Sequence, residues 1–326
     1  MLLPDPRGAV SAGLIDLLRR DPSTVEYQPV PDTDAEDLQL SLWVCYELCY
    51  RGFERVDPDW DGAPALMTIR RVLENRWLGT LRGIAVPERV TDVPRALAEL
   101  VAADEGPPLA KFLQTKATAE QFAEFVAHRS VYHLKEADPH SWAIPRLSGR
   151  AKAALVEIQA DEYGQGKLER MHSELFRATM RSLGLDDAYG HYVGQAPATT
   201  LAVSNLMSLF GLNRRWLGAA LGHLAVFEMT SSLPNRRYGN GLRRLGGDAT
   251  ATRFFDEHVE ADAVHEQIAA HDLCGSYAAD NPEAAGDILF GAACALTVEA
   301  RFGTHLLDRW TSGTPSLLQG GLPGAA

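Results

Sequence analysis

The sequence predicts an all-α protein, and three observations carry that prediction. Alternating Val/Ile/Thr runs of the kind that form half-buried strands are missing. Apolar residues recur at three- and four-residue spacing through most of the 326-residue chain. The third is a polar stripe, His258-Val-Glu-Ala-Asp262-Ala-Val-His265, that makes chemical sense only on a helix. Positions i, i+4 and i+7 of an α-helix fall within roughly 60° of one another, so His258, Asp262 and His265 share one face.

The elements follow in order. Asp32-Thr33-Asp34 caps a helix from about Ala35 to Phe53. Further helices span about Ala65 to Arg82 and Val93 to Ala103, and another starts at Thr118 in TAEQFAEFVAHRS. Pro139 and Pro145 punctuate a loop-rich passage. A helix from about Gly149 to Tyr163 meets Gly164-Gln-Gly166 and resumes through LERMHSELFRATMRSLG. Later helices run from about Arg214 to Ser231, Ala249 to His271 and Pro282 to Trp310. Residues 1–115 read as an N-terminal helical layer, 116–312 as the core, and the Gly/Pro/Ser-rich 313–326 as a disordered tail. No linker separates layer from core, so one continuous domain is expected.

Composition bounds the function. The chain is 46% hydrophobic and 23% charged, as ordinary globular proteins are. A net charge of −12 argues against nucleic acid or an anionic membrane as partner. The N-terminus lacks the basic flank and apolar run of a signal peptide, and no stretch is apolar enough to span a bilayer. A cytoplasmic location is expected. Cys45, Cys49, Cys274 and Cys294 are too few and scattered for a disulfide framework. Cys45 and Cys49, one helical turn apart in WVCYELCY, read as buried small hydrophobes, with a catalytic thiol as the alternative.

Two imidazoles and a carboxylate on one stripe are a donor set for a borderline transition metal, iron being the usual choice for oxygen chemistry. Candidate partners lie elsewhere. Glu228 sits on a mostly apolar helix, where an acid is costly to bury unless paired or metal-bound. His223, five residues earlier, faces another way. Glu162 and His172 are ten residues apart. On one straight helix they would be separated by roughly 15 Å and about 80° of rotation, too far to share a metal. A break at Gly164 and Gly166 would bring them together. Glu157 and Asp161 are alternatives to Glu162. Glu136 adds an acid, with a salt bridge to the adjacent Lys135 as its competing explanation. Four carboxylates and three histidines drawn from several helices is the balance of a di-iron carboxylate bundle.

From Leu38 to Trp310 the chain resembles the heme-oxygenase-like di-iron oxidases and oxygenases, also described as iron-containing redox enzymes. LQLSLWVCYELCYRGF resembles the family's N-terminal helix, and KEADPHSWAIPRL and ADEYGQG are similar to blocks in its longer members. The resemblance implies a heme-oxygenase-like helical bundle with an N-terminal extension. It matches His258, Asp262 and His265 to the family's last ligand helix and Glu228 to an acid on the preceding helix. Glu162 and His172, the latter in HSELF, match the first core helix, and Glu136 an extra carboxylate. The ligand spacing is similar to that of the family's nitrosourea-forming branch. The separate cupin domain of that branch is not expected here, so rearrangement to a nitrosourea is not implied. Two non-heme Fe ions, O2 as co-substrate and a small-molecule substrate follow from the resemblance, with an external electron donor and a homodimer as further expected partners. The favoured reaction is N-oxygenation of an amine or guanidine in natural-product biosynthesis. Oxidative C–C cleavage or decarboxylation of an amino or fatty acid is the enzymatic alternative. A metal-free, thiaminase-like or small-molecule-binding protein, in which Cys45 or Cys274 would matter, is the non-metal alternative, and a helical scaffold the non-enzymatic one.

Overall fold

Helix starts are written into the chain by short polar side chains. Asp34, Asp92 and Asp248 each accept a backbone N–H one turn on, and Thr118 forms a capping box with Gln121. The computed structural model describes residues 1–27, 29–86 and 90–322, with the backbone only for 260–263 and 320. Its α-helices are α1 (Ala9–Leu18), α2 (Ala35–Glu47), α3 (Pro64–Leu81), α4 (Val93–Ala102), α5 (Leu109–Thr115), α6 (Ala119–His133), α7 (Asp138–Ser141), α8 (Gly149–Glu162), α9 (His172–Ser182), α10 (Ala198–Leu212), α11 (Leu217–Arg244), α12 (Ala249–Gln267), α13 (Ser276–Asp280) and α14 (Ala285–Thr311). A π-helical segment, Ile268–Gly275, joins α12 to α13. Among the described residues every regular element is helical, and no helix is long and apolar enough to cross a membrane.

The long α11 is the axis of the core and packs against α12 on one side and α14 on the other. α11 and α14 approach so closely that a Cβ at Gly222 would collide with the Ile288 carbonyl, and one at Gly291 with Ala219. α9 lies on α12 and α6, while α10 bridges α2 to α14. One contiguous apolar core runs from Val10 to Leu317.

Several boundaries differ from the sequence expectation. α2 stops at Glu47 rather than Phe53: Cys49 N and Tyr50 N bond the carbonyls three residues back, those of Tyr46 and Glu47, and the chain then turns at Gly52, whose φ is 63°. Periodicity missed α1 and α10. α10 is buried nearly all round, with Thr200, Ser204, Asn205 and Ser208 enclosed as well as Leu201, Val203, Leu206, Leu209 and Phe210, so it has no exposed polar face to reveal a period. α11 runs through Pro234 to Arg244 instead of ending near Ser231. Proline removes one N–H from the helical ladder, and packing against α5, α12 and α14 holds the helix across the gap. The tail expected to be disordered is ordered through Leu322. Ser316 donates from its N and Oγ to the buried Glu124 (2.8 and 2.5 Å), Leu317 is buried, and Leu318 N reaches the Gln195 carbonyl at 2.8 Å. Residues 323–326 lie outside the described residues.

Candidate metal centre

A break between α8 and α9 brings the first pair of ligand candidates together. Gly164, Gln165 and Gly166 all adopt positive φ (61°, 53° and 77°). Gly164 is demanded twice over, since a Cβ there would lie 2.5 Å from the Arg170 carbonyl carbon and the Met171 nitrogen. The chain reverses, α9 starts at His172, and His172 Nδ1 comes to 3.0 Å from Glu162 Oε2 at the end of α8.

Two adjoining groups of potential metal donors result. Glu136, Glu162, His172 and His258 offer atoms within 4.8 Å of one another, and so do Glu162, Glu228 and His265. Glu162 belongs to both. Six of the seven candidates from the sequence thus converge. The seventh, Asp262, lies outside the described side chains. The Lys135–Glu136 salt bridge does not form: Lys135 turns the other way, onto Glu47 at 3.0 Å, while Glu136 Oε1 accepts the Tyr132 hydroxyl at 2.7 Å. Glu157 is exposed, and His223 lies outside both groups, 3.3 Å from His140.

The donors are close together without satisfying one another. Glu136 Oε2, Glu162 Oε2, His172 Nδ1, His258 Nε2 and His265 Nδ1 are buried and have no hydrogen-bond partner. Such burial costs about 1–3 kcal/mol per group. Neighbouring bonds aim two of the imidazoles. His258 Nδ1 bonds the Phe254 carbonyl at 2.8 Å, which leaves Nε2 facing Glu136 at 3.8 Å. His265 Nε2 bonds Asp161 at 3.0 Å, which leaves Nδ1 facing Glu228 at 3.4 Å. Oxygen and imidazole donors with their lone pairs turned inward fit iron.

Electrostatics follow from this crowding. Burial alone would raise the Glu136 carboxyl, but His133, His258 and His172 outweigh it and hold it well below the usual carboxylate range. Burial, reinforced by Glu136 and Glu228, raises Glu162 against the opposing pull of His172. Burial disfavours a charged His172, yet Glu162 and Glu136 push it up to about 9. His265 rises to about 9 in the same way, against burial, through Glu228 and Asp161. Burial and the neighbouring His172 depress His258 to about 3.

Sequence reasoning missed the supporting residues. His133 Nδ1 lies 3.1 Å from Glu136 Oε1. Gln159 donates to the Ala137 carbonyl (2.8 Å) and Ser141 Oγ (2.7 Å), tying α8 to the turn that carries Glu136. Their signal was present as i, i+3 spacing, to Glu136 from His133 and to Glu162 from Gln159. A cavity of about 290 Å³ opens beside the cluster. Glu136, Glu162, Glu228 and His258 line it, as do Arg129, Glu299 and Asp104. Arg129 is held bidentately by Glu299 (2.8 and 2.7 Å). The cysteines line none of it. Burial pushes the Cys45, Cys49 and Cys294 thiols up to about 12 and raises Cys274 as well, opposite to what a catalytic thiolate requires.

Comparison with known proteins points the same way. The family model described as iron-containing redox enzyme matches residues 123–300, over half of the chain and all seven candidates. A nitrosourea synthase of Streptomyces achromogenes subsp. streptozoticus is 30% identical over 138 residues, 42% of this chain and 29% of that protein. The matched region is thus less than a third of that relative's length. A domain of unknown function with a heme oxygenase-like fold from Shewanella denitrificans shares the fold, with a TM-score of 0.51 at 15% identity, covering 67% of this chain and 90% of that one.

Proposed function

Because the chain belongs to the iron-containing redox enzyme family, we propose that it is a non-heme di-iron oxygenase that N-oxygenates a small basic molecule, an amine or a guanidine. The observation that carries the metal reading is the convergence of five buried donor atoms, from Glu136, Glu162, His172, His258 and His265, that approach one another at ion-pair distances yet have no hydrogen-bond partner. Glu136, His172 and His258 are assigned to one iron, Glu228 and His265 to the other, and Glu162 to both. Asp262 stays in the proposed set on its place in the helical stripe. When bound, the two irons supply the electrons and open positions that O2 activation needs.

The residues around them supply position and selectivity. Tyr132 and His133 hold one oxygen of Glu136. Leu224, Val226 and Phe227 add apolar surface to the cavity wall. Apart from the ligand acids, its Asp, Glu, Lys and Arg lining consists of Asp104, Glu299 and Arg129, and Glu299 already engages Arg129. An ammonium or guanidinium group meets an acidic lining there, with Asp104 as the carboxylate not already committed to a metal or to Arg129. A fatty-acid carboxylate meets no unengaged Lys or Arg among the described lining residues. The relative named for nitrosourea synthesis also supports chemistry at nitrogen, although its match covers too little of that protein to transfer the product.

Anaerobic Fe(II) loading followed by metal analysis and O2-uptake assays tests both parts. Two irons per chain, with O2 uptake stimulated by amines or guanidines and not by fatty acids, is expected. A stoichiometry of one or less overturns the di-iron assignment, and stimulation by fatty acids alone overturns the substrate class.

A further inference from the structure

We propose that Asp161 is the positioning residue for the Glu228/His265 half of the centre: it takes the Nε2–H of His265 and leaves Nδ1 as the atom offered to the metal. This rests on the metal reading above. The two histidines of α12 are oriented by different means and present different nitrogens. His258 is pinned through Nδ1 by the Phe254 carbonyl, a backbone group of its own helix that no side-chain substitution removes. His265 is pinned through Nε2 by a side chain on another element, at 3.0 Å. A metal-bound imidazole is aimed by what its other nitrogen donates to, so the choice at His265 belongs to Asp161.

Asp161 is itself held for this task. Oδ2 faces His265, and Oδ1 accepts the Gln165 amide at 3.1 Å. Gln165 reaches it because it occupies the left-handed position (φ 53°) between Gly164 and Gly166. The break that delivers His172 to Glu162 therefore also braces the residue that aims His265, and one irregular turn serves both halves. Asp161 belongs to neither donor group. Its side chain is 40% exposed whereas that of His265 is 2% exposed, so a water-accessible acid governs a buried ligand. The Glu228/His265 position is accordingly the one whose occupancy depends on a replaceable contact.

The test uses the full chain. Anaerobic Fe(II) titration against a competing chelator is run on the wild type, Asp161→Ala and Asp161→Asn. In Asp161→Ala the weaker equivalent should lose about 10- to 100-fold in affinity, while the tighter one stays within about threefold of the wild type. Asp161→Asn keeps an acceptor oxygen without the charge and should fall between them. In Zn(II)-loaded protein with 15N-labelled histidine, His265 should carry its proton on Nε2 and its metal on Nδ1. Wild-type affinity for both equivalents in Asp161→Ala, or a proton on Nδ1, overturns the assignment. If Asp161→Ala does not fold, the Asn variant and the nitrogen spectrum decide. Absence of metal uptake by the wild type defeats the centre itself, whereas normal wild-type uptake with unchanged variants defeats only the role of Asp161.

Discussion

Lys135 and Glu136 are neighbours in the chain, yet they enter two different buried polar regions. Lys135 Nζ sits 3.0 Å from Glu47, both fully enclosed, with the Tyr189 hydroxyl on the same carboxylate at 2.9 Å and the Tyr50 ring 4.5 Å away. Charge cancels there, even though Glu47 Oε1 has no hydrogen bond of its own. On the other side, Glu136, Glu162 and Glu228 have only histidines as their ion-pair partners among the described residues. Burial of charge is common to both regions, and what separates them is the residue left over. The first is a finished pair, while the second holds an excess of acids with ring nitrogens and carboxylate oxygens turned inward, which a metal cation would complete on displacing the imidazole protons.

The sharpest way to break this comparison is to unfinish the finished pair. Lys135→Met leaves Glu47 buried without its cation, and breaking a buried pair costs about 3–5 kcal/mol. Urea unfolding of the metal-free protein should show a loss of that order. The folded fraction should still take up iron as the wild type does, because Lys135 touches none of the donors. Lost iron with unchanged stability would mean that the two regions are one site.

A smaller effect should appear in protons. In the metal-free protein His172 and His265 titrate at about 9, so both are protonated at pH 7. A coordinating nitrogen must have lost its proton. Metal binding at pH 7 should therefore release up to two protons, and affinity should climb from pH 7 to about pH 9 by up to about 1.4 kcal/mol per proton per pH unit before levelling off. His258, depressed to about 3, has no proton to release. Calorimetric Zn(II) titrations in buffers of different ionisation heat measure the count. A heat independent of buffer would contradict the placement of both histidines, while the Lys135 region should be silent in the same experiment.

How much of this was legible in the sequence depends on the range of the contacts. The capped, amphipathic helices were, because caps and periodicity are local. The Glu162–His172 pairing was half legible: the spacing ruled out a straight helix, and the two glycines marked where it could fail. The Lys135 contact was not legible: adjacency in sequence offered Glu136 as a competing partner, whereas the end of α6 turns Lys135 and Glu136 to opposite sides. Glu47, 88 residues away, left no local trace. Asp161 was legible as an acid near the site, but its role depends on a contact with His265, 104 residues on, that spacing along one helix cannot show. α10 was invisible for the opposite reason, since a helix buried on all sides carries no amphipathic signature.

The smallest expected effect sharpens the comparison at its edge. Glu136 stands where the two regions meet and is the candidate whose role the sequence left most open. Its salt-bridge explanation is gone, because Lys135 is committed to Glu47. What remains is a carboxylate with Oε1 occupied by Tyr132 and Oε2 buried without a partner. Glu136→Gln keeps an acceptor for the tyrosine and removes the charge. If Glu136 is a ligand, Glu162, His172 and His258 still hold its iron, so the variant should bind two irons with one equivalent weakened about tenfold, or about 1.4 kcal/mol. The metal-free protein should lose some stability at pH 7, because a carboxyl held below its ordinary range by His133, His258 and His172 stabilises the fold in its charged form. Chelator competition reads the affinity and urea unfolding the stability. If both equivalents keep wild-type affinity, Glu136 leaves the ligand set and belongs with Tyr132 and His133 in the cavity wall. N-oxygenation would then rest on the acidic lining at Asp104 and Glu299, the latter already bound to Arg129, and on the likeness to the relative named for nitrosourea synthesis.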